Sequence, residues 1–283
     1  MLVLSAPSPP APAIAPSPQD AYPPAQIARL VEQVGVKKAT LPFVQMFVLG
    51  LLAGAFIAFG AMYFTLVVTE SGLGFGPQRL LGGLAFSLGL ILVVVGGAEL
   101  FTGNNLIVMA WAERKVTTLQ LGRNWAIVFA ANFIGALGTA LLVHWSGTLG
   151  LAGGAVGATA LAIADAKVAL GFTEAFFRGI LCNTLVCLAV WLCFAAHDVP
   201  GKVLAIVFPI SAFVALGFEH SVANMYLIPI AMLHGGGSVT LAGLAANLVP
   251  VTLGNMVGGG VFVALVYWLV YLWPAHRQRT ADG

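Results

Sequence analysis

The chain has 283 residues, of which 60% are hydrophobic and only 8% are charged, and its mean hydropathy is +0.98. Soluble domains carry about 25% charged residues, so this composition excludes a soluble globular protein and predicts a chain that crosses a membrane several times. A formal net charge of +2 argues against a nucleic-acid partner. The three cysteines, Cys182, Cys187 and Cys193, lie in one apolar run and are predicted to be buried free thiols.

The N-terminal residues are predicted to lie outside the membrane. Residues 1–25 are rich in proline, alternating with alanine and serine, and are therefore expected to be disordered. They lack the basic start and compact apolar stretch of a signal peptide. Residues 26–38 are predicted to form an amphipathic helix on the cytoplasmic membrane face. Its apolar side consists of Ile27, Leu30, Val31 and Val34.

Residues 39–273 are predicted to contain six transmembrane segments, because about 20 apolar residues cross the hydrocarbon core. The predicted segments are 39–69, 80–111, 124–145, 167–196, 203–234 and 241–273, with a glycine-rich, uncharged loop at 147–157 and a cytoplasmic tail at 274–283. Six segments put both termini on one side. Nine lysines and arginines fall on that side and two on the other, so both termini are predicted to be cytoplasmic, in a bacterial inner membrane.

Two of these segments carry polar residues where the middle of the membrane is expected. Residues 217–224 read GFEHSVAN and residues 97–104 read GAELFTGN, with Gly, Glu and Asn at positions one, three and eight of both. Ionisable residues at that depth are costly and face a cavity or a partner. Interrupted segments at corresponding places are the sequence signature of a substrate site near the midplane. We therefore expect a pore at these two breaks.

The similarity between the two halves extends beyond the breaks. Residues that match at an offset of 123 or 125 are Phe47 with Phe172, Gly54 with Gly179, Asn132 with Asn255 and Trp145 with Trp268. Three segments are therefore repeated. An odd number of segments inserts the second copy upside down, so the sequence predicts an inverted-topology repeat.

Four ordered motifs, at residues 97–103, 179–191, 217–225 and 254–259, resemble the formate–nitrite transporter family. The resemblance covers about residues 26–272. It implies an all-α, aquaporin-like protomer with six transmembrane helices, of which the second and fifth are interrupted. It also implies a homopentamer in the lipid bilayer with one pore per protomer, and no cofactor or ATP.

The resemblance implies transport of small monovalent anions of weak acids, by a channel or a proton-coupled facilitator. Formate is the first expectation. Nitrite and hydrosulfide stay open, and so does a non-conducting structural or sensory protein. An enzyme is not expected, because the sequence has no metal-ligand cluster, no nucleophile–base spacing and no phosphate loop.

His220 is the central candidate of the substrate pathway, since imidazole is the side chain whose ordinary pKa lies near physiological pH. The resemblance places Thr102 opposite it across the pore and Lys167 at the outer mouth, where a lone cation would attract anions. Asn183 is a further candidate for substrate contact. Whether the anion passes as neutral acid, or with His220 protonated, stays open.

A second group of polar residues is expected to be structural. Glu99 and Glu219 are predicted to be buried beside their own breaks, where they accept hydrogen bonds from backbone N–H groups, because exposed carboxylates would repel an anion. The asparagines Asn104, Asn183, Asn224 and Asn255 are predicted to satisfy backbone groups freed by the breaks.

Apolar side chains near the breaks match the two narrow rings that the family places around its central histidine, and such rings reject hydrated ions. They are Phe86, Leu90, Leu100, Phe101, Val186 and Phe213. Arg178 lies four residues after Glu174, so a local ion pair between them is preferred over contact with substrate.

Overall fold

The computed structural model describes residues 21–235 and 239–274, and over these ranges the chain is entirely helical, without a strand. The N-terminal residues 1–20, the glycines 236–238 and the tail 275–283 lie outside the described residues. So do most of the segment predicted to be disordered and nearly all of the predicted cytoplasmic tail. The prediction of an all-α protein is confirmed.

The helices follow one another with short connections. In chain order they are α1 (Pro24–Ala39), α2 (Phe43–Val68), α3 (Phe75–Gly96), a 3-10 helix (Gly103–Ile107), α4 (Val108–Ala112), α5 (Thr118–Trp145), a 3-10 segment (Thr148–Gly154), α6 (Ala155–Val168), α7 (Phe172–Ala195), α8 (Val199–Ala215), α9 (Ser221–His234), α10 (Leu241–Met256), a π-helical stretch (Val257–Leu265) and α11 (Val266–Tyr271).

Within the described residues, six helical stretches are long and apolar enough to cross a membrane. They are Phe43–Val68, Phe75–Gly96, Thr118–Trp145, Thr148–Val168, Phe172–Ala195 and Leu241–Tyr271. The number agrees with the prediction of a polytopic membrane protein, but the set differs from the predicted one. It includes Thr148–Val168 and leaves out the shorter apolar helices α8 and α9.

The stretch Thr148–Val168 is not one continuous helix. Its backbone leaves helical geometry from Leu151 to Gly153, and α6 itself has 14 residues, or about 21 Å at 1.5 Å per residue. That is shorter than the hydrocarbon core of about 30 Å. The predicted loop at 147–157 is therefore partly helical, and Lys167 lies in the last turn of α6 rather than at the start of the next segment.

Both predicted breaks are interruptions of helical backbone. α3 ends at Gly96 and helical structure resumes at Gly103, while α8 ends at Ala215 and α9 begins at Ser221. The chain turns at Gly97 (φ 82°) and Gly217 (φ 73°). This left-handed conformation is the one that glycine adopts without steric cost, which explains why each break begins with glycine.

The two halves pack in the same way. α2 lies against α3 and α5, whereas α7 lies against α8 and α10, and the halves meet where α3 packs against α8. A second, smaller core forms where α1 covers the first break, since Ile27 and Val31 are buried with Leu106 and Ile107. Leu30 and Val34 of the predicted apolar side are only half-buried.

Candidate functional site

Two cavities adjoin the breaks. The first, of about 310 Å³, is lined by residues that include Lys38, Leu90, Glu99, Leu100 and Asn104, and we call it the Lys38 cavity. The second, of about 390 Å³, is called the Lys167 cavity. Its lining includes Phe86, Lys167, Phe213, Glu219 and His220. Each break therefore contributes to the wall of its own cavity.

The side chains of Thr102 and His220 connect the two breaks. Thr102 Oγ1 lies 3.0 Å from His220 Nε2, and the residues are 0% and 3% exposed. Phe213 stacks beside the imidazole with a centroid distance of 5.9 Å. The structure thus brings the two central candidates into direct contact.

A backbone contact assigns the tautomer of His220. The N–H of Ala223 donates to His220 Nδ1 at 3.1 Å, and a backbone N–H can only donate. Nδ1 is therefore the acceptor, so in the neutral ring the proton is on Nε2, which donates to Thr102 Oγ1. The hydroxyl proton of Thr102 is then free to point to another acceptor. An imidazolium would set Nδ1–H against the Ala223 N–H, so this arrangement holds a neutral imidazole.

The first glutamate is held by a compact polar network. Glu99 Oε1 accepts from Lys38 Nζ at 2.6 Å, and Glu99 Oε2 accepts from Asn104 Nδ2 at 2.7 Å. Asn104 Nδ2 also lies 3.0 Å from Asn124 Oδ1, and Asn124 Nδ2 donates to the carbonyl of Lys38 at 3.1 Å. Lys38 therefore stands at both ends of the network: its ammonium group binds Glu99, and its backbone carbonyl accepts from Asn124.

The second glutamate is held by the same network. Lys167 Nζ donates to Glu219 Oε1 at 2.8 Å, and Asn224 Nδ2 donates to Glu219 Oε2 at 2.7 Å. Asn224 Nδ2 also lies 2.7 Å from Asn247 Oδ1, and Asn247 Nδ2 donates to the carbonyl of Lys167 at 2.9 Å. Lysine, glutamate and both asparagines correspond one to one between the halves.

These networks correct three expectations. Glu99 and Glu219 are buried, as predicted, but their partners are lysine and asparagine side chains rather than backbone N–H groups. Asn104 and Asn224 accordingly bind the carboxylates and not freed backbone groups. Lys167 is not a lone cation, since Glu219 offsets its charge at 2.8 Å.

Asn132 and Asn255 hold the backbone of the breaks. Asn255 Nδ2 donates to the carbonyls of Gly179 and Glu219 at 2.8 and 2.9 Å, while its Oδ1 accepts from Ser221 N at 2.9 Å. Asn132 makes the same three bonds, to Gly50 O, Glu99 O and Phe101 N, at 2.8, 2.9 and 2.9 Å. The structural counterpart of Gly179 is therefore Gly50, and the match of Gly179 with Gly54 is wrong.

Asn183 lies behind the Thr102–His220 pair rather than on a cavity wall. Its Nδ2 approaches Asn105 Oδ1, Asn255 O and Thr102 O at 2.8, 2.7 and 3.2 Å, and the residue is 0% exposed. The expectation of backbone contact fits this geometry. The structure does not bring Asn183 to the surface of either cavity.

Four of the six apolar candidates line the cavities. Leu90 and Leu100 lie on the Lys38 cavity, and Phe86 and Phe213 lie on the Lys167 cavity. The rings of Phe86 and Phe213 meet edge to face at 5.5 Å. The other two, Phe101 and Val186, line neither cavity, and Phe101 packs against Trp125 and Phe129 instead.

The sequence interpretation missed Lys38, Asn124 and Asn247 as members of the site. Asn124 and Asn247 are related by the offset of 123 that relates Asn132 and Asn255, so the repeat contained the signal. Lys38 was assigned only to the end of α1. The expected pair between Arg178 and Glu174 is confirmed, with Arg178 Nη2 at 2.5 Å from Glu174 Oε1.

Comparison with known proteins agrees with this architecture. A profile of the formate/nitrite transporter family matches residues 25–269. The formate channel FocA of Escherichia coli K12 is 41% identical over 275 residues, which cover 90% of this chain and 96% of that protein. A probable formate transporter of Methanothermobacter thermautotrophicus is 40% identical, over 88% of this chain and 97% of that protein.

Solved structures give the same result. A structure described as a pentameric formate channel with formate bound superposes with a TM-score of 0.76 and 39% identity, over 81% of this chain and 98% of that one. An ion channel of the same family superposes with a TM-score of 0.79 and 31% identity, over 87% and 98% of the two chains. The relatives are channels and transporters, which bears out the expectation that the chain is not an enzyme. This integral membrane protein belongs to the formate/nitrite transporter family.

Proposed function

We propose that the protein is a membrane channel or facilitator for small monovalent anions of weak acids, with formate as its first substrate. The observation that carries the proposal is the buried Thr102–His220 pair. His220 lies in the wall of the Lys167 cavity, Thr102 lines neither cavity, and each cavity has a lysine–glutamate pair in its wall. The relatives named as formate channels and as a formate transporter support the choice of formate.

We infer that each interrupted pair of helices crosses the membrane as one segment. α3 and α4 with the first break form the second segment, and α8 and α9 with the second break form the fifth. This arrangement leaves α6 as a short helix outside the count of six and puts both termini on one side. The excess of lysine and arginine on that side supports a cytoplasmic location in a bacterial inner membrane.

We infer a homopentamer in which each protomer has its own pathway. The matched structure described as a pentameric formate channel supports this assembly, because its chain is covered over 98% of its length at 39% identity. Both cavities and the Thr102–His220 pair are formed by residues of a single chain. Each protomer therefore holds a complete candidate pathway.

The proposed pathway runs from one cavity to the other through the Thr102–His220 pair. An anion in the Lys167 cavity passes the edge-to-face rings of Phe86 and Phe213, and apolar rings of this kind reject hydrated ions. It then accepts a hydrogen bond from the free hydroxyl proton of Thr102. A full charge in apolar surroundings costs several kcal/mol, so these few donors lower the barrier.

The hydrogen bonds of His220 restrict how a proton can be shared. Nε2–H can be given to the anion only if Nδ1 receives another proton, but Nδ1 accepts from the Ala223 N–H. We therefore infer that His220 acts at rest as a neutral donor. Proton transfer to the anion requires the bond from Ala223 to open, which couples transfer to a movement at the start of α9.

Flux through proteoliposomes tests the proposal. Purified protein is reconstituted, and uptake of formate, nitrite, hydrosulfide, acetate and lactate is compared with uptake into protein-free vesicles. We expect formate uptake that depends on the protein and is lost in His220→Phe. Faster uptake of nitrite or hydrosulfide than of formate would reassign the substrate. An assembled protein that passes none of the five anions would favour a structural or sensory role.

A further inference from the structure

Two arginines from different helices converge on the second break. Arg79 of α3 donates from Nε to Ala215 O and from Nη2 to Val214 O, both at 2.9 Å. Arg178 of α7 donates from Nη1 to Gly217 O at 3.1 Å. Both arginines line the Lys167 cavity, together with His220. Two guanidinium groups therefore face one small part of the cavity wall.

Both guanidinium groups lie close to the backbone of Gly217. A side-chain carbon at this position would lie 3.0 Å from Arg79 Nη2 and 3.5 Å from Arg178 Nη1. Any other residue would be crowded by these nitrogens, and the left-handed backbone at φ 73° disfavours other residues as well. Glycine thus allows both guanidinium groups to lie against the backbone of the second break.

The guanidinium groups retain unused donors. A guanidinium has five N–H groups, and in the described part of the chain no partner is seen for Arg79 Nη1 or for Arg178 Nε. Backbone carbonyls help to hold both side chains in place, and a carbonyl, unlike a carboxylate, does not cancel a full charge. Fixed donors of this kind bind an anion with little loss of side-chain entropy.

The charges around the cavity leave one cation in excess. Lys167 is paired with Glu219, and Arg178 is paired with Glu174. No carboxylate lies within 4.0 Å of Arg79 among residues 21–235 and 239–274. The side chain of Glu174 is 52% exposed. Its ion pair with Arg178 is therefore worth less than about 1 kcal/mol, and Glu174 competes only weakly with a bound anion for that guanidinium.

We propose that Arg79 and Arg178 form a binding station for a planar monovalent oxyanion, a carboxylate or nitrite, in the Lys167 cavity beside Gly217. The planar fork of arginine matches two oxygens held in one plane, which a point charge such as an ammonium does not reproduce. The station is separate from the Thr102–His220 pair and precedes it on the path from this cavity. The inference rests on the proposed function and adds a recognition step to it.

Flux variants test the station. Arg178→Lys keeps the charge and removes the fork, so the formate concentration for half-maximal uptake should rise about tenfold at constant ionic strength, as expected for the loss of one charge-assisted hydrogen bond. Arg79→Lys should also raise the half-maximal formate concentration. In this variant the maximum rate of uptake should change less than that concentration does. The matched control is Arg123→Lys, because Arg123 also donates to a carbonyl, that of Leu41 at 3.1 Å, but lines neither cavity.

A second measurement does not depend on the folding of variants or on transport. Wild-type crystals are soaked in sodium 4-bromobenzoate, a planar carboxylate whose aryl bromide does not alkylate side chains, and the bromine is located by its anomalous signal. We expect a peak beside Arg79 and Arg178. A wild-type crystal without that peak overturns the station, and so does an unchanged half-maximal concentration in Arg178→Lys. Wild-type protein that passes no formate but shows the bromine peak would refute the proposed function and leave the station standing.

Discussion

Asn132 and Asn255 hold the two breaks through the same three hydrogen bonds. Each amide nitrogen donates to the carbonyl of a buried glutamate and to that of a glycine on a neighbouring helix, and each amide oxygen accepts from the backbone N–H two residues after that glutamate. A backbone that leaves the helix inside a membrane must find such partners, because lipid offers none. These two side chains supply them.

Replacement of either asparagine is expected to destabilise the protein strongly. Asn255→Ala leaves two buried backbone groups without a partner, the carbonyl of Glu219 and the N–H of Ser221. At about 1–3 kcal/mol each, a loss of about 2–6 kcal/mol is expected, and Asn132→Ala should match it. Thermal unfolding in detergent measures the effect. Thr139→Ala on the same helix as Asn132 is the control, since Thr139 bonds only within its helix. An Asn132→Ala protein as stable as this control would contradict the assignment.

The Lys167–Glu219 pair is expected to respond unequally to single and double replacement. Lys167→Met strands a buried carboxylate, which costs about 3–5 kcal/mol, whereas Lys167→Met combined with Glu219→Gln removes both charges and should recover much of that loss. The coupling energy of this cycle is obtained from unfolding of all four proteins. Glu174→Gln, which breaks the exposed pair with Arg178, should cost less than about 1 kcal/mol. Additive effects at Lys167 and Glu219 would mean that the pair is not energetically coupled.

His220 variants separate hydrogen bonding from proton sharing. His220→Asn keeps an oxygen that can cap α9 as Nδ1 does, and keeps a donor for Thr102, so it should assemble and conduct formate. It has no group that titrates, so the dependence of uptake on external acid should flatten. Uptake of labelled formate between about pH 5 and pH 8 measures this. His220→Phe loses cap and donor, and we expect assembly with most of the flux gone. A His220→Asn profile that overlays the wild type would exclude a proton role.

The helices α2 and α5 come close together at Gly135, and Gly138 on α5 provides a control without such a contact. A side-chain carbon at Gly135 would lie 2.0 Å from the carbonyl oxygen of Leu51, whereas one at Gly138 would have no neighbour within 4 Å. Gly135→Ala forces α5 away from α2 and should cost about 1–3 kcal/mol or more. Gly138→Ala should be neutral or stabilising, because alanine favours helix by about 1 kcal/mol. Melting temperatures in detergent compare the two, and equal values would contradict the close approach of α2 and α5.

Assembly is expected to survive purification. Native mass spectrometry in mild detergent should give five protomers, and His220→Phe should give the same number because the Thr102–His220 pair lies inside one protomer. Many exposed apolar side chains of the single chain, such as Phe43, Phe75 and Phe208, remain for lipid or for neighbouring protomers. A stable monomer that conducts formate would rule out the pentamer as the functional unit.

The sequence was sufficient for the parts of the fold that repeat in the chain. Glycine, glutamate and asparagine at fixed positions located both breaks, and Asn132 with Asn255 identified a structural correspondence. The match of Gly54 with Gly179 failed because small residues recur throughout the helices, so that spacing alone does not choose between Gly50 and Gly54. Hydrogen-bond partners make that choice.

Other features depended on contacts between distant segments. Lys38 and Lys167 correspond at an offset of 129, as Gly50 and Gly179 do, whereas the sequence comparison used offsets of 123 and 125. Lys38 also reaches Glu99 from outside the predicted membrane region. The helix α6 lies in an alanine- and glycine-rich stretch without a periodic pattern, so it was not distinguished from a loop. The tautomer of His220 required the position of the Ala223 N–H.

The repeated scaffold is nearly symmetric, but the residues on the proposed path are not. Leu100 holds the place in the first break that His220 holds in the second, and Val222 holds the place of Thr102. An anion that arrives from the Lys38 cavity meets Leu100 in the wall, whereas one from the Lys167 cavity meets His220. The two entrances therefore present different barriers. Inward and outward currents through one protomer should therefore differ when formate gradients of equal size and opposite direction are applied. The proposed pathway is thus expected to rectify.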